Sequence, residues 1–336
     1  MTVLVTGGAG YIGSHTVRAL RQAGRAVVVL DTLELGHRAA VLDAPLVVGD
    51  VADATLVARL CEEHGVTQAV HFAAYKSVGE SMQHPAKYWA NNVGNAAVLF
   101  ETLAHHGVRE VVFSSSCSVY GTPPAVPVTE DAPIHPESVY AETKAVAERM
   151  LGWFDRTDGL RSVSLRYFNA AGASADALIG EDWAFSINLV PVVMKAALGH
   201  SGPLNVFGDD YATPDGTCIR DYIHVEDLVD AHAVVLDALD PASAAKDGAG
   251  VPRIYNLGTG KAPSVREILE AARRVTGHPI PAVEVDRRPG DPPVLLANPL
   301  RIASDLGWKA ATTSVDRMVE TAWRWFKENP KGYAQT

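Results

Sequence analysis

The chain has 336 residues, of which 47% are hydrophobic and 20% are charged, and its formal net charge at pH 7 is -10. This composition is typical of a globular protein with enough apolar material for one large domain or two smaller ones. A general affinity for nucleic acid is excluded, because such binding relies on basic patches that an acidic chain does not favour.

Signals for secretion, membrane insertion and metal binding are missing from the sequence. A strand-like run begins at once, and no stretch of about 20 apolar residues occurs, so we expect neither a signal peptide nor a membrane span. Cys61, Cys117 and Cys218 are isolated from one another, and the 12 histidines show no metal-like spacing. We therefore expect free thiols, no metal and a reducing compartment, with the cytoplasm as the default.

The first half of the chain alternates short apolar runs with amphipathic stretches. Buried strands are predicted at 3–6, 26–30, 46–48, 69–72, 111–114 and 162–166. Amphipathic helices are predicted at 11–23, 54–64, 92–106 and 139–156. This alternation indicates βαβ units and a parallel sheet with helices on both faces.

The second half is less regular and has more proline and glycine loops. Helices are predicted at 225–239, 264–276 and 314–328, a short helix capped by Asn298 with Pro299 as its first residue, and a surface loop at 241–250. The predicted fold class is α/β, a Rossmann-type doubly wound sheet with a smaller α/β C-terminal substrate domain. We place the nucleotide-binding domain at 1–170 and the substrate domain at 171–336, with a chain crossover between them.

A glycine-rich turn directly follows the first predicted strand. Gly7, Gly10 and Gly13 give the spacing GxxGxxG. The first glycine permits a tight turn, the second lets the backbone approach a pyrophosphate, and the third allows close helix–strand packing. The N-terminus of the following helix then favours the anion. The turn predicts a dinucleotide site.

Acidic residues follow the second and third predicted strands. Asp31 stands where an acid accepts hydrogen bonds from the adenosine ribose hydroxyls, which favours NAD over NADP. The alternative is a turn residue at the end of a strand. Asp50 and Val51 are placed to line the adenine; in the alternative, Asp50 is only a loop residue and Asp53 caps the next helix.

Three serines, Ser114 to Ser116, lie at the C-terminal end of the fifth predicted strand, where ligands of open α/β sheets bind. Further on, Tyr140 and Lys144 are four residues apart and share one face of a helix. A lysine ammonium and a nearby positive nicotinamide favour the tyrosine phenolate, which predicts a usable base near neutral pH. An ordinary pair on a helix surface is the alternative for Tyr140 and Lys144 taken alone.

These motifs and several others carry a resemblance that covers almost the whole chain. The segments are TGGAGYIGSH at 6–15, HFAAYKSVGES at 71–81, NNVGN at 91–95, FSSSCSVYG at 113–121, the tyrosine–lysine motif at 140–144, LRYFNAAGA at 165–173, FGDDYATPDGTCIRDYIHVEDL at 207–228 and RRPGDPP at 287–293. The chain resembles the UDP-glucose 4-epimerase family of the extended short-chain dehydrogenases/reductases. The segment at 207–228 is the most specific of them.

The resemblance implies roles for particular residues. Tyr140 is then the catalytic acid/base, Lys144 holds the nicotinamide ribose and tunes Tyr140, and Ser116 binds the sugar 4-hydroxyl. The implied NAD-binding residues are Gly7, Gly10, Tyr11, Ile12, Gly13, Asp31, Asp50, Val51, Phe72, Ala73, Ala74, Lys76, Asn91, Ser114, Tyr140, Lys144 and Phe168. The implied UDP-sugar-binding residues are Ser116, Asn169, Asn188, Leu189, Arg220, Tyr222, Arg288, Asp291 and Leu295.

The physical interpretation of the second half agrees with this resemblance. Arg220 and Arg288 are candidates for the diphosphate, because guanidinium groups pair well with phosphate oxygens; surface ion pairs are the alternative. Asp291 is a candidate acceptor for the uridine ribose hydroxyls, and a loop cap is its alternative.

The implied activity is an NAD-dependent interconversion of UDP-galactose and UDP-glucose through a transient 4-keto sugar. The implied assembly is a homodimer joined by helices of the nucleotide-binding domain (92–106 and 139–156); the alternative is that their apolar faces pack on the chain's own sheet. Leu295 leaves two substrate alternatives open, UDP-N-acetylglucosamine and UDP-xylose/arabinose, because it is intermediate in size at a position that lines the sugar pocket.

Two further alternatives are less favoured. A nucleotide-sugar 4,6-dehydratase needs an acidic pair where this chain has Cys117 and Ser118. A non-catalytic NAD-binding regulator commonly lacks the tyrosine–lysine pair.

Overall fold

The computed structural model describes residues 1–182, 184, 186, 188–240, 253–288 and 291–333. The loop predicted at 241–250 lies outside these residues. The strands are β1 (Thr2–Thr6), β2 (Ala26–Asp31), β3 (Leu46–Val48), β4 (Val66–His71), β5 (Glu110–Ser114), β6 (Arg161–Tyr167), β7 (Asn169–Ala171), β8 (Leu204–Phe207), β9 (Ile219–Arg220), β10 (Tyr222–His224), β11 (Ile254–Leu257), β12 (Ala282–Val285) and β13 (Val294–Leu295).

The α-helices are α1 (Tyr11–Gln22), α2 (Ala54–His64), α3 (Val78–Gln83), α4 (Pro85–Trp89), α5 (Ala96–His105), α6 (Val139–Asp158), α7 (Leu189–Ala197), α8 (Val225–Leu239), α9 (Val265–Thr276), α10 (Leu300–Leu306) and α11 (Val315–Glu328). Within the described ranges, no helix combines the length and the apolar character needed to cross a membrane.

Seven parallel strands form the central sheet, in the order β11-β6-β5-β4-β1-β2-β3. One face packs against α1 and α8, and the other against α2, α5 and α6. Apart from the partly exposed edge strand β3, the strands are mainly buried, because helices cover both faces. The predicted doubly wound parallel sheet is confirmed.

Local sequence explains where the helices of this sheet begin and end. The side chain of Asp53 accepts a hydrogen bond from the N–H of Leu56 at the start of α2, and Ser138 does the same for Ala141 at the start of α6. Gly159 ends α6 in a left-handed conformation with a φ of 69°. A π-helical turn precedes α5, so the helix predicted from residue 92 becomes regular only at Ala96.

The chain crosses back to the first sheet late in the sequence. Helix α8 packs on α1, and β11 then adds an edge strand beside β6, with Tyr255 opposite Leu165. The polar Asn256 interrupts the apolar run of β11, which is why the pattern did not predict this strand. The predicted boundary near residue 170 remains a prediction, together with the crossover.

The remaining part of the chain surrounds a second core. Helices α7, α9 and α11 pack together around Ile268, Trp325 and Phe326. Three two-stranded parallel sheets flank this core: β7 with β10, β8 with β12, and β9 with β13. One cap prediction is wrong by a residue. Helix α10 begins at Leu300 with Pro299 as its N-cap, although Asn298 Oδ1 accepts from the N–H of Leu300 at 3.0 Å.

Candidate active site

The glycine turn between β1 and α1 is closely packed at two of its three glycines. Gly7 has a φ of +70°, and a Cβ there would lie 2.6 Å from the backbone nitrogen of Ala73. A Cβ on Gly13 would lie 2.2 Å from the carbonyl oxygen of Gly7. At Gly10 the nearest atom is the same oxygen at 3.4 Å, an ordinary contact. Two glycines are therefore required by packing, while the third leaves space in front of the helix N-terminus.

Asp31 is bound by the backbone of this turn. Its Oδ2 accepts a hydrogen bond from the N–H of Ala9 at 2.9 Å, and its Oδ1 accepts one from Leu33 at 2.9 Å. The side chain is only 8% exposed. A carboxylate has about four acceptor positions, so these two bonds leave capacity for a ribose hydroxyl. Both readings of Asp31, as a turn residue and as an acceptor, are compatible with this geometry.

Asp50 and Asp53 occupy the positions that the sequence-based alternative gives them, a loop and a helix cap. Asp53 caps α2, while Asp50 Oδ1 accepts from the N–H of Ala52 at 2.9 Å and from Asn95 Nδ2 at 3.3 Å. Val51, beside Asp50, is buried in the core under the sheet. Asp50 therefore lies in the loop after β3, and its contact with the adenine remains a prediction.

The other predicted NAD-binding residues are spread over several elements. Phe72 follows β4, its N–H donates to the carbonyl of Thr6 at 2.9 Å, and Ala73 and Ala74 continue the same loop. Tyr11 donates from its hydroxyl to the carbonyl of Gly172 at 2.7 Å, so this side chain links α1 to the loop after β7. Ile12 packs on the core between α1 and the sheet, and Phe168 is buried beside Ala145.

Asn92 is a buried residue that the sequence reasoning missed, next to the predicted Asn91. Its Oδ1 accepts from the N–H of Tyr75 at 2.9 Å and from Asn91 Nδ2 at 2.9 Å. Its Nδ2 donates to the carbonyl of Tyr75 at 3.0 Å and to Thr143 Oγ1 at 3.2 Å. Asn92 thus joins the loop after β4 to α6. Two adjacent asparagines at the start of the helix predicted from residue 92 were the available signal, because asparagine favours caps and turns.

Ser116, Tyr140 and Lys144 come together at the C-terminal end of β5. Lys144 Nζ donates to the carbonyl of Ser114 at 2.7 Å and lies 6.0 Å from the centre of the Tyr140 ring. The hydroxyl of Ser116 is hydrogen-bonded to Tyr140, and it accepts from Ser118 Oγ at 2.9 Å. The side chain of Ser114 bonds instead to the hydroxyl of Tyr167, at 2.7 Å.

Burial controls the protonation of this group. It raises the pKa of Tyr140 above its usual value, with a smaller opposing effect from the hydrogen bond to Ser116. Burial also lowers the pKa of Lys144 to about 7, against the attraction of Glu148. Burial alone therefore opposes the Tyr140 phenolate, and the expectation that Lys144 and a bound nicotinamide favour it stays a prediction.

Four of the predicted sugar-nucleotide residues lie on short paired strands. Asn169 of β7 pairs with Tyr222 of β10, and Arg220 of β9 pairs with Leu295 of β13. Residue 221 separates the two pairs, so 219–224 forms a central ribbon between β7 and β13. The sequence places the members of each pair far apart, and only the strand pairing brings them together.

The two arginines differ in their surroundings. Arg220 Nη2 lies 3.4 Å from Asp291 Oδ1, and its Nη1 donates to the carbonyl of Pro292 at 2.7 Å. The Arg220 side chain is 14% exposed and that of Asp291 is 37% exposed, so the ion pair that was the alternative for Arg220 is present, and its role at the diphosphate stays a prediction. The guanidinium of Arg288 lies 3.8 Å from the centre of the Phe207 ring. Phe207 was missed as a site residue, although it begins the most specific motif.

Asp221, between Arg220 and Tyr222 in the chain, is a fully buried residue that was also missed. Its carboxylate accepts from the N–H groups of Thr259 at 2.9 Å, Gly260 at 3.1 Å and Ala297 at 3.2 Å. Burial raises its pKa to about 6. Asp221 therefore fixes the central ribbon against the ends of β11 and β13.

Asn188 and Leu189 begin helix α7, as its N-cap and first residue. Asn188 Nδ2 donates to Glu181 Oε1 at 3.1 Å, and Lys76 Nζ lies 3.4 Å from the same oxygen. Glu181 therefore connects a residue predicted for the cofactor to one predicted for the sugar nucleotide.

The described residues give no evidence of a metal site. No group of three or more histidine, cysteine, aspartate or glutamate side chains in this part of the chain is arranged to hold a metal ion. The three cysteines are free and buried.

Comparison with known proteins identifies the family. A sequence profile described as the NAD dependent epimerase/dehydratase family matches residues 3–258. The chain belongs to this family. Across 99% of this chain and 98% of the relative, it is 45% identical to a UDP-glucose 4-epimerase of Halalkalibacterium halodurans. The predicted membership of the extended short-chain dehydrogenases/reductases is confirmed.

Solved structures of the family have the same fold. A UDP-glucose 4-epimerase from Brucella ovis in complex with NAD superposes with a TM-score of 0.92 at 43% identity, covering 97% of this chain and 98% of the other. One from Bifidobacterium longum, in complex with NAD+ and UDP, superposes with a TM-score of 0.90 at 38% identity, covering 99% of this chain and 100% of the other.

Proposed function

We propose that this chain is an NAD-dependent UDP-glucose 4-epimerase, which interconverts UDP-galactose and UDP-glucose through a 4-keto sugar. The observation that carries the proposal is the group of Ser116, Tyr140 and Lys144 at the C-terminal end of β5, in a chain whose full-length relatives are UDP-glucose 4-epimerases. The chain is an enzyme of an NAD-dependent family, and the predicted cofactor is confirmed.

The glycine turn fits a dinucleotide. The packing of Gly7 and Gly13 brings the turn against the loop after β4, and the N-terminus of α1 has no side-chain cap. Its free N–H groups and helix dipole suit a pyrophosphate next to Gly10. When bound, NAD supplies the acceptor and donor of the hydride at the sugar C4.

Tyr140 carries the proton in the proposed mechanism. Its phenolate oxygen removes the proton of the C4 hydroxyl as the C4–H bond breaks, which leaves a 4-keto sugar and a protonated Tyr140. The Ser116 hydroxyl donates to the C4 oxygen and positions it. After the keto sugar rotates within the site to present its opposite face, Tyr140 returns the proton to the C4 oxygen while the new C4–H bond forms on that face.

Lys144 supplies the positive charge that Tyr140 needs. Burial opposes the phenolate, so a cation on the same face of α6 is the protein's means of stabilising it. The hydrogen bond from Lys144 Nζ to the carbonyl of Ser114 fixes that cation beside the strand end.

Rotation of the keto sugar within the site requires a firmly held nucleotide and a loosely held sugar. We propose Arg220 and Arg288 for the diphosphate, Asp291 for the uridine ribose, and Asn169, Asn188, Leu189, Tyr222 and Leu295 for the rest of the UDP-sugar. Arg220 and Asp291 are already in contact, so they would meet the nucleotide as a unit.

The test is to supply purified protein with UDP-galactose and NAD, with no added reductant, and to follow UDP-glucose by nuclear magnetic resonance. Conversion of one sugar into the other supports the proposal. Binding of NAD without conversion would indicate a regulator, and a 4-keto-6-deoxy product would indicate a dehydratase.

Leu295 gives a specific reason to test a second class of substrate. It lies on β13 opposite Arg220 and is only partly buried, and a leucine there leaves more room than an aromatic ring. A panel of UDP-galactose, UDP-N-acetylgalactosamine and UDP-arabinose, compared by kcat/KM, separates a hexose epimerase from an N-acetylhexosamine or pentose epimerase.

Assembly and location complete the proposal. We propose a homodimer joined through α5 and α6, and the support is Trp153 of α6, which is 62% exposed. Light scattering of the purified protein tests the dimer. The proposed compartment is the cytoplasm, which the three free cysteines favour.

A further inference from the structure

Helix α6 carries a third polar residue in line with the catalytic pair. Glu148 follows Lys144 by four residues, as Lys144 follows Tyr140, so all three lie on one face of the helix. The Glu148 side chain is 9% exposed, and Lys144 is 4% exposed. The proposed mechanism uses Tyr140 and Lys144 and gives Glu148 no role.

Each of the three serines at the end of β5 contacts one of these helix residues. Ser116 is hydrogen-bonded to Tyr140, and the carbonyl of Ser114 accepts from Lys144 Nζ. Ser115, which is fully buried, donates from its hydroxyl to Glu148 Oε1. The catalytic serine is therefore held between two neighbours that are each bonded to α6.

Glu148 also balances a buried arginine. Arg166 Nε donates to Glu148 Oε1 at 2.9 Å, and Nη2 donates to Oε2 at 2.5 Å, which makes a two-pronged ion pair. The Arg166 side chain is 3% exposed, and its Nη1 donates to the hydroxyl of Tyr120 at 2.8 Å. Strand β6 thus brings a permanent cation close to the catalytic helix.

Few groups around Lys144 carry charge. The surrounding titratable and charged groups are Tyr140 and Glu148 of α6, His71 of β4, Cys117 after β5, and Arg166 and Tyr167 of β6. Burial lowers the pKa of His71 to about 3 and raises the pKa of both tyrosines and of Cys117, so these four are neutral near pH 7. The remaining charges are two cations and one anion, Glu148.

We propose that Glu148 is a positioning residue of the epimerase: it keeps Lys144 charged beside Tyr140 by compensating Arg166, and it fixes the serine loop through Ser115. The inference rests on the proposed function, because the charge on Lys144 matters only if Tyr140 exchanges a proton. Glu148 acts through Lys144 and does not touch the substrate.

The main test is Glu148→Gln, which keeps the shape and removes the charge. Loss of an anion next to a buried ammonium lowers the pKa of Lys144, so the cation is lost at lower pH. We expect the alkaline limb of the kcat profile for UDP-galactose to move down by roughly one pH unit, with little change in KM. A profile identical to that of the wild type would overturn the proposal.

A second substitution that restores the charge balance distinguishes the electrostatic role of Glu148 from a role in packing. Glu148→Gln leaves Arg166 buried and unpaired, which is destabilising, whereas Glu148→Gln with Arg166→Gln removes both charges. We expect the double variant to fold better and to return the alkaline limb toward the wild-type pH. A double variant whose limb stays where the single variant has it would overturn the charge-balance argument.

Two further variants define the specificity of the effect. Ser115→Ala keeps the ion pair and removes only the loop contact, so we expect a lower kcat with the alkaline limb unmoved. Glu270→Gln removes an exposed carboxylate that pairs with Arg273 at 2.7 Å, and it serves as a matched control with a wild-type profile. A shifted limb in either variant would contradict the proposal.

A readout independent of turnover separates this inference from the proposed function. The chemical shift of a lysine ε-carbon changes on deprotonation, so nuclear magnetic resonance of the 13C-lysine-labelled holoenzyme, and of the folded protein without NAD, with the Lys144 signal assigned by its loss in Lys144→Arg, reports the pKa of Lys144 without requiring access to it. We expect that pKa to fall in Glu148→Gln. If the wild type shows no turnover, the proposed function fails, and an unchanged Lys144 pKa in the variant separately overturns the inference.

Discussion

Asp31 accepts a hydrogen bond at 2.9 Å from the backbone N–H of Ala9, in the middle of the glycine turn. The loop after β2 completes the connection, because the N–H of His37 donates to the carbonyl of Ala9 at 2.9 Å. The acid that the sequence assigns to a ribose therefore also builds the turn that we propose for the pyrophosphate. We expect a substitution of Asp31 to change both the conformation of the turn and the binding of the ribose. Substitutions of the glycines therefore separate effects on folding from effects on cofactor binding more clearly.

Gly10 and Gly13 are expected to differ when changed to alanine. In Gly13→Ala the new Cβ meets the carbonyl of Gly7 at 2.2 Å, so we expect the free energy of unfolding to fall by about 2 kcal/mol. In Gly10→Ala the nearest atom is 3.4 Å away, so stability is kept, but the methyl group occupies the approach of the pyrophosphate and NAD affinity falls.

Denaturant unfolding and calorimetric titration with NAD measure these two effects. Gly202→Ala, where a Cβ meets nothing within 4 Å, is the matched control and should change neither. Unchanged NAD affinity in Gly10→Ala would contradict the predicted position of the pyrophosphate.

Tyr140→Phe is expected to lower kcat by at least about 100-fold, because the proton of the C4 hydroxyl loses its acceptor. UDP-sugar binding should survive, since the nucleotide contacts lie on other elements. Steady-state kinetics and calorimetric titration with UDP-galactose measure both quantities. Tyr255→Phe removes a hydroxyl that donates to Asp305 at 3.2 Å, and it should leave kcat unchanged. Undiminished turnover in Tyr140→Phe would refute the assigned acid/base.

Local sequence predicted those features that depend on neighbouring residues. The spacing of Gly7, Gly10 and Gly13 predicts the turn, and apolar runs predict β1 to β6. The four-residue spacing places Tyr140 beside Lys144. Each of these follows from periodicity or backbone geometry within a few residues of the chain.

The features that were missed depend on distant parts of the chain. Strand β11 is recognisable only as the neighbour of β6, and Asp221 only as the acceptor for Thr259, Gly260 and Ala297. The pKa of Tyr140 depends on burial, which no spacing rule supplies. Tertiary contacts, not local propensity, decide these properties.

Arg288→Met is expected to raise KM for UDP-galactose by roughly 10- to 100-fold with a smaller change in kcat, because one charge-assisted contact to the diphosphate is lost. The guanidinium stacks on Phe207, and methionine keeps part of that packing. Arg274→Met, which removes an exposed cation paired with Asp316 across α9 and α11, is the control. Equal KM values for Arg288→Met and the wild type would show that the diphosphate does not bind at Arg288.

Leu295→Tyr is expected to narrow the substrate range. A tyrosine on β13 opposite Arg220 takes up space beside the sugar, so turnover of UDP-N-acetylgalactosamine should fall while that of UDP-galactose is largely kept. The ratio of the two kcat/KM values is the measurement. Leu300→Tyr introduces the same ring at a site that is 69% exposed and should leave the ratio unchanged. A parallel loss of both substrates would indicate general damage to the cleft.

His232→Leu is expected to reduce the acid sensitivity of the fold. Burial lowers the pKa of His232 from 6.5 to about 4, and its Nε2 has no hydrogen-bond partner. Between these values the unfolded chain binds a proton that the native protein does not, so stability falls as the pH drops from about 6.5 toward 4. Between pH 6.5 and 5 this one histidine lowers the free energy of unfolding by about 2 kcal/mol.

Denaturant unfolding at pH 7 and pH 5 should show a smaller loss of stability for His232→Leu than for the wild type. His278→Leu, at an exposed histidine, should retain the full loss. Equal acid losses in all three proteins would show that His232 is not the group that titrates.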